Sequence, residues 1–540
     1  MSSRPAPIQS WTPPRRAAVA PPSVPRVFQF VLVAYVLLTG EMVRGIQAVL
    51  FGLQGGGDAA FTAATLLAIA TDIARIAPLL YFARHPLGIL HPLILTAVLW
   101  PLLVAMPRTI EELGGLGGLL LGEQIGPPFY SGLGWLPGPE IWQAVAWSNL
   151  CELMALLSIY MGYALVHDRR ITARAGAAPG TKTEFDGKRI RMLAIFLIGI
   201  SIAVLLVLIS MRGGLALHLA DMARGRFRSL GGLGPLVAAV DLGLVALIVW
   251  VAARPEDVRR PLLPILMVGI AVAQFISNGA RSAAFATIMM VGLTWALRTR
   301  RIPWRLTLIL VPLFFLSFGA MNIIRNSGLV GQTATEAIQT AETGDVLSRV
   351  QEEIDLRRSL KSTVPVIWEG HDLMGGPLWG STYGAAIVAF VPRWIWQEKP
   401  RGPGSIYAQS FLGEVREGMA VPVNPTAEQY WNFGILGVIL ISVLYGGLIH
   451  HAHNFYIRRP DNPFVVAGFV LFVTTFHPST DDLVLFQQQF ALLLIVLGLA
   501  FVFATRWRRD PSGLPAYPGP GAPQLAFRDQ RPETPAPAGR

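Results

Sequence analysis

Long apolar runs separated by short polar connections make up most of this chain. Most runs approach the ~20 residues that a helix needs to cross a hydrocarbon core about 30 Å thick. In lipid the backbone groups of a span must satisfy one another, and the runs are too long for barrel strands, so the pattern predicts helices. We therefore expect an all-α polytopic membrane protein with about 12 transmembrane helices. The expected spans are Val27–Phe51, Ala59–Phe82, Gly88–Met106, Ile141–Val166, Met192–Met211, Leu233–Ala252, Leu262–Ser277, Ala283–Leu297, Leu306–Met321, Tyr430–Ile449, Phe464–Phe476 and Val484–Thr505.

The composition supports a membrane protein and argues against a soluble one. Hydrophobic residues make up 53% of the chain and charged residues only 14%, whereas soluble proteins contain about 25% charged residues. The formal net charge of +11 raises the question of a nucleic-acid partner. Much of the excess lies in the short connections after the even-numbered runs, for example at Arg254, Arg259 and Arg260. The positive-inside rule explains this bias, so we expect no nucleic acid and two cytoplasmic termini.

The polar parts of the chain define its predicted organisation. Residues 1–26 and 506–540 are rich in proline and lack an apolar period, so they are predicted to be disordered cytoplasmic tails around a bundle at 27–505. Residues 322–429 form the longest polar interval and are predicted to be a large extracytoplasmic loop inserted in the bundle. The single cysteine, Cys151, excludes an intramolecular disulfide framework and is predicted to be a small buried residue.

Six charged side chains fall inside the predicted spans. Glu41 and Arg44 are three positions apart, as are Asp72 and Arg75, so each pair shares a helix face and can neutralise itself. Glu152 and Asp241 have no partner nearby in sequence, and each must meet a cation on another helix or lie in a wet cavity. These charges fit either a pair that fixes helix packing or a proton path in a transporter.

Two cationic segments lie near the predicted outer surface. Arg281 occupies a tight turn, Ser277–Ser282, between two spans. In Phe390–Arg401 three cations alternate with two tryptophans and two prolines. Tryptophan anchors at the membrane interface, and the planar guanidinium group of arginine pairs with two oxygens at once. A rigid cationic segment at this height suits the diphosphate of a lipid.

A third segment, Asn424–Gly434, places the carboxylate of Glu428 at the outer end of a span. The order of an outer-turn arginine, a late loop with Pro-Arg-x-x-Trp and Lys-Pro, and then Glu-x-Tyr-x-Asn-Phe-Gly-x-x-Gly resembles the bacterial O-antigen polymerases. These repeat-unit oligosaccharide polymerases are related to the O-antigen ligases. The motifs cover residues 278–282 and 390–437.

This resemblance implies an inverting-type multi-span glycosyltransferase of the bacterial plasma (inner) membrane. Its donor and acceptor would both be oligosaccharide repeat units on a polyprenyl diphosphate, joined at the outer face of the bilayer. The enzyme would serve polysaccharide synthesis for the cell envelope, with a flippase and a chain-length regulator as possible partners. The outer segments contain no convincing acidic cluster for a metal, so we expect no metal and no cofactor.

The resemblance and the charge pattern together assign the expected site residues. Arg281 and Arg393 would stabilise the charge that grows on the departing diphosphate, and Glu428 is the first candidate for the base, with Asp372 or His371 next. The residues expected to bind substrate are Arg325, Lys399, Arg401, Trp394, Trp396, His371, Asp372 and Tyr430.

Three other functions fit the same sequence. A ligase would move a finished lipid-linked glycan to a different acceptor. A polysaccharide or lipid transporter would use the intramembrane charges, although the sequence shows no internal repeat or paired broken helices. A non-catalytic assembly partner in envelope synthesis is the third.

Overall fold

The computed structural model describes residues 59–82, 85, 87–99, 138–166, 185, 187–215, 217–219, 233–278, 281–299, 301, 360–388, 391, 395–412, 423–476, 494, 497–498 and 501–503. These residues are about 85% helical and contain no strand. Five of their helices are long and apolar enough to cross a membrane. The described part of the chain therefore has the architecture of an all-α membrane protein. The predicted spans that begin at Val27 and Leu306, and most of the one that begins at Val484, lie outside it.

Two helices, α1 (Ala59–Tyr81) and α2 (Gly138–Leu165), run side by side in the same direction. The Nδ2 of Asn149 donates to the carbonyl oxygen of Ala64 at 3.0 Å, and the hydroxyl of Tyr160 donates to that of Ala74 at 3.0 Å. From the first bond to the second, the residue number rises by about the same amount on both helices, from 149 to 160 on α2 and from 64 to 74 on α1. The two helices are therefore parallel. Residues predicted to be spans two and four are thus neighbours.

The long helix α11 (Pro425–Arg458) packs against α2 through two glycines. A Cβ added to Gly446 would overlap the carbonyl oxygen of Ile159, and one added to Gly162 would overlap that of Val443. Small residues let helix backbones approach closely where lipid supplies no hydrophobic drive for association. This pair of glycines therefore sets the distance between α2 and α11.

The remaining membrane helices surround α5 (Leu242–Ala253), which is buried over almost its whole length. Its neighbours are α3 (Gly187–Ser210), α6 (Leu262–Asn278), α7 (Arg281–Thr299) and α12 (Pro463–Thr475). A short helix, α4 (Gly234–Val240), leads into α5 across Asp241. The Ser201 hydroxyl on α3 donates to the Val240 carbonyl at 2.6 Å.

The described part of the third predicted span is not a continuous helix. It consists of a 3-10 turn at Gly88–Leu90, one α-helical turn at Pro92–Ile94 and a π turn at Leu95–Leu99. His91 separates the first two because its backbone is extended and its side chain caps the next turn, accepting from the N–H of Leu93. The apolar pattern predicted one uniform helix and was wrong for residues 88–99.

The described part of the large polar loop contains three helices before α11, namely α8 (Leu360–Met374), α9 (Ser381–Ile387) and α10 (Pro403–Leu412). The α8 helix buries Val366 and Ile367 in a cluster with Cys151 on α2 and Trp431 on α11. Cys151 is buried, as the sequence predicts. Through α8, the described part of the loop is therefore packed against two helices of the bundle.

Candidate functional site

The α11 helix is broken at Gly434, where φ is +65° and ψ is −155°. This region of backbone conformation is essentially restricted to glycine. The hydroxyl of Ser442 donates to the Gln429 side chain at 3.0 Å across 13 positions, which a straight helix would separate by about 20 Å. The segment Pro425–Phe433 therefore folds back beside the rest of α11. We call Pro425–Phe433 the re-entrant segment.

The re-entrant segment begins at a well-formed cap. Asn424 accepts a hydrogen bond from the N–H of Thr426 at 2.9 Å, and Pro425 occupies the first helical position, where its missing N–H costs nothing. Its residues are almost all buried, including the polar side chains of Glu428, Gln429 and Asn432. A helix that buries so many polar groups needs a partner for each of them.

Glu428 lies at the centre of this buried polar network. The side chain is 0% exposed, and its Oε1 accepts from the Thr382 hydroxyl on α9 at 2.7 Å. The amide of Asn432 donates to that same Thr382 oxygen at 2.7 Å and to the backbone carbonyl of Glu428 at 2.8 Å. The carboxylate thus ties α9 to the re-entrant segment, an arrangement that suits a positioning residue.

The broken end of the re-entrant segment is capped from outside. Its carbonyl groups have no helical partner beyond the break. His371 contacts two of them through Nε2, at 2.9 Å from the Tyr430 oxygen and 3.1 Å from the Trp431 oxygen. The His371 ring also stacks on Tyr430, with the centroids 5.1 Å apart. His371 therefore has a defined structural role in the described fold, in addition to the substrate role predicted for it.

The turn between α8 and α9 supplies the rest of the cap. The N–H groups of Leu378 and Trp379 donate to the carbonyls of Trp431 and Asn432 at 3.0 and 3.1 Å. The N–H of Gly380 donates to Asn432 Oδ1 at 2.9 Å. These bonds hold Trp379 at φ +50°, an unusual conformation for a bulky residue, with 76% of its surface exposed. Backbone strain of this kind concentrates at functional sites.

The other positions of the sequence Glu-x-Tyr-x-Asn-Phe-Gly-x-x-Gly also make specific contacts. The Tyr430 hydroxyl accepts from the Trp147 indole at 3.4 Å, and the Phe433 ring stacks on Tyr383. A Cβ at Gly437 would lie 2.6 Å from the Gln429 carbonyl oxygen. Only glycine therefore lets the backbone after the break pass so close to the re-entrant segment. With Glu428, Asn432 and Gly434 described above, each named position helps to build or hold the break.

An exposed face lies at the end of α8. Asp372 is exposed there. The pKa of the neighbouring Glu369 is raised, mainly because that carboxyl group is partly buried and also because the Asp372 charge lies close by. The Ser410 hydroxyl on α10 contacts the Met374 sulfur at 3.6 Å, and Arg401 hydrogen-bonds Gln409 one position away from Ser410. Asp372 at the end of α8 and Arg401 just before α10 are thus both exposed, on helices that pack together.

The structure places only some of the predicted site residues. Glu428, Tyr430, His371 and Asp372 belong to one folded unit. Trp396 is 41% exposed on the surface of the loop, and the Lys399 ammonium donates to the Val391 carbonyl at 3.0 Å. Arg325, Arg393 and Trp394 lie outside the described residues. Arg281 is the first residue of α7, so its convergence with Glu428 stays a prediction.

Three of the charges inside the predicted spans form ion pairs. Arg75 lies 2.9 Å from Asp72 on its own helix and 2.9 Å from Glu152 on α2. Glu152 is thus paired with a cation on another helix, as burial requires. Asp241 lies at the junction of α4 and α5, where the Gln274 Nε2 donates to the neighbouring Val240 carbonyl at 3.3 Å. The pairing of Asp72, Arg75 and Glu152 favours helix packing over an open proton path.

Thr382 is a site residue that the sequence did not single out, because its partner Glu428 is 46 positions away.

Comparison with models of protein families, with curated proteins and with solved structures found no match to this chain.

Proposed function

We propose that the chain is a glycosyltransferase that polymerises polyprenyl-diphosphate-linked oligosaccharide repeat units on the outer face of a bacterial plasma membrane. The observation that carries the proposal is the re-entrant segment, in which each named position of the family-like motif has a structural task. Burying glutamate, glutamine and asparagine among membrane helices costs free energy even when they are paired. A protein that only crossed the bilayer would gain nothing from such a network, so we assign it to holding a site.

The proposed reaction is a single displacement. A hydroxyl oxygen of the acceptor sugar attacks the anomeric carbon of the donor glycan, and the bond from that carbon to the diphosphate oxygen breaks with inversion. The proton of the hydroxyl goes to a carboxylate base. The electron pair of the broken bond leaves with the lipid diphosphate.

We assign the base to Asp372 and a positioning role to Glu428. The Asp372 carboxylate is exposed on the face at the end of α8, whereas the Glu428 carboxylate is buried and accepts from Thr382. A base must come within hydrogen-bond reach of the proton that it takes. Its exposure leaves the Asp372 carboxylate open to an acceptor hydroxyl, which supports this assignment over the buried Glu428.

Cations would stabilise the departing diphosphate. Arg401 is exposed on the same unit as Asp372, and Arg281, Arg393 and Lys399 are the further cations that we propose to gather there. Guanidinium groups pair bidentately with phosphate oxygens and remain charged at every physiological pH. Preorganised charge of this kind is commonly the largest contribution to catalysis.

The test compares two isosteric variants in membranes from a strain lacking the gene, supplied with the lipid-linked repeat unit that the strain accumulates. Asp372→Asn removes the proposed base, so the elongation rate should fall by about 10²–10⁴-fold. Glu428→Gln keeps an oxygen that accepts from Thr382, so its rate should fall less than ~10-fold, the worth of about one hydrogen bond.

Glu256→Gln, an exposed carboxylate in the turn before α6, is the matched control and should elongate at the wild-type rate. Full activity in Asp372→Asn together with loss in Glu428→Gln would return the base to Glu428. Transfer of one intact glycan to a different acceptor, with no lengthening, would indicate a ligase.

A further inference from the structure

A cluster of histidines lies near the C-terminal ends of α2 and α11, away from the re-entrant segment. His85 and His91 follow α1, and His453 is on α11, near its C-terminal end. One nitrogen atom from each of the three side chains lies within 4.8 Å of the others. The centroid of the His91 ring is 4.6 Å from that of His453 and 4.9 Å from that of His85.

A tyrosine on α2 connects two of these rings. The Tyr163 hydroxyl is 3.0 Å from Nε2 of His91 and 2.5 Å from Nδ1 of His453. Tyr163 is 16 positions beyond Trp147, which contacts the re-entrant segment, so about 24 Å of helix separates the two places. The histidine cluster is therefore not part of the proposed transfer site.

His453 presents an unused nitrogen to the cluster. Its side chain is 6% exposed, and among the described residues its Nε2 has no hydrogen-bond partner. Leaving a buried polar nitrogen without a partner costs about 1–3 kcal/mol. Phe82 stacks on His91 with the centroids 3.7 Å apart, so one side of the cluster is apolar and shielded.

We propose that His85, His91 and His453 form a binding site for a divalent transition-metal ion of the zinc type. Imidazole nitrogens suit zinc, copper, nickel and iron, whereas magnesium and calcium prefer oxygen. Three histidines that leave one position open are a common zinc arrangement, with Zn–N distances of about 2.0–2.1 Å. Tetrahedral ligands at that distance lie about 3.3 Å apart, so the three nitrogens, which lie within 4.8 Å of one another, must move closer together to hold the ion.

The hydrogen bonds around the cluster define how binding would proceed. At His453, Nε2 can take the metal while Nδ1–H donates to Tyr163, the usual pattern for a ligating histidine. At His85 and His91, Nδ1 accepts from the N–H of Leu87 and of Leu93 at 3.2 and 3.3 Å. Metal at Nε2 moves the ring proton to Nδ1, so both Nδ1 contacts must open, and at His91 the ion must also replace the Tyr163 hydroxyl that lies 3.0 Å from Nε2. Binding would therefore rearrange the 85–93 turn while fastening it to α11.

The experiment uses the full chain purified in detergent, stripped with a chelator and titrated with Co²⁺ as a coloured probe for the zinc site. We expect one equivalent with the absorption of tetrahedral cobalt, displaced by one equivalent of Zn²⁺. His453→Ala and His85→Ala should each abolish that spectrum. Tyr163→Phe should weaken binding by about 10–100-fold, as the loss of an outer partner does.

His451→Ala is the matched control, because His451 is exposed on the same helix two positions from His453. It should leave the stoichiometry and the spectrum unchanged. The melting temperature of each metal-free variant separates loss of a ligand from loss of the fold, and His85→Ala, at a partly exposed position, is the safer of the two. Absence of a bound equivalent in the folded wild type, or binding that survives both ligand variants, would overturn the proposal.

Discussion

Two long-range contacts hold the re-entrant segment: Glu428 accepts from Thr382, and His371 contacts the Tyr430 carbonyl. The sequence placed Glu428 and Tyr430 at the outer end of a span and Gly434 in the same motif. It gave no signal that Glu428 would meet Thr382 or that His371 would cap Tyr430, because 46 and 59 positions separate these pairs. A local pattern cannot report contacts that only the packed helices create. The burial of Glu428 follows from those contacts, and it is the reason that we propose Asp372 as the base.

Gly434→Ala should destabilise the protein because the backbone there has φ +65° and ψ −155°. A residue with a Cβ in this region costs about 1–3 kcal/mol, which should appear as a lower melting temperature in detergent. Gly269→Ala is the control, since a Cβ on that helical glycine meets no atom within 4 Å. An equal or higher melting temperature in Gly434→Ala would show that the helix is not broken at this position.

Glu369 should give stability a measurable pH dependence. Burial, and then the Asp372 charge, raise its pKa above the ordinary value of 4.5. The folded state therefore holds the proton more tightly, and the free energy of unfolding should fall as pH rises from 4.5 through the raised pKa. Comparing wild type with Glu369→Gln by denaturation at several pH values checks this. The difference in unfolding free energy between the two proteins should shrink as the pH falls toward 4.5. A difference that grows toward pH 4.5 would contradict the assignment.

At the scale of elements, periodicity predicted the long apolar helices and failed where side chains cap the backbone. The helices α1, α2 and α3 and the part of α11 after Gly434 were expected from their long apolar runs. The predicted span Tyr430–Ile449 was wrong in its first residues, because the helix is broken at Gly434. The 88–99 stretch is equally apolar, but His91 ends one turn and begins another. The loop helix α8 mixes polar and apolar residues, so its docking against Cys151 could not be inferred from composition.

Gly446→Ala and Gly162→Ala should both separate α2 from α11, because each added Cβ would overlap a facing carbonyl oxygen. Overpacking of this kind costs about 1–3 kcal/mol or more. Unfolding in detergent measures the loss. Gly447→Ala is the neighbouring control, since its Cβ would make an ordinary 3.4 Å contact with Val166. Two fully stable variants would mean that these helices are farther apart.

At the scale of the whole molecule, the membrane class is established by the described helices, whereas the orientation rests on the predicted positive-inside bias. The chain offers a direct check because its one cysteine is buried. Ser410→Cys on the exposed face of α10 should react with an impermeant maleimide added to intact spheroplasts. Arg260→Cys, exposed between α5 and α6, should react only after permeabilisation. The opposite pattern would place the loop helices in the cytoplasm.

The most direct test of the central claim is the length distribution of glycans that the purified protein makes in vesicles containing only its lipid-linked repeat unit. The proposed polymerase should convert single units into a ladder of longer chains on the same lipid carrier, and the ladder should disappear with Asp372→Asn. If the folded protein instead leaves every glycan at one unit while moving it across the vesicle membrane, the molecule is a transporter and the proposed chemistry is wrong.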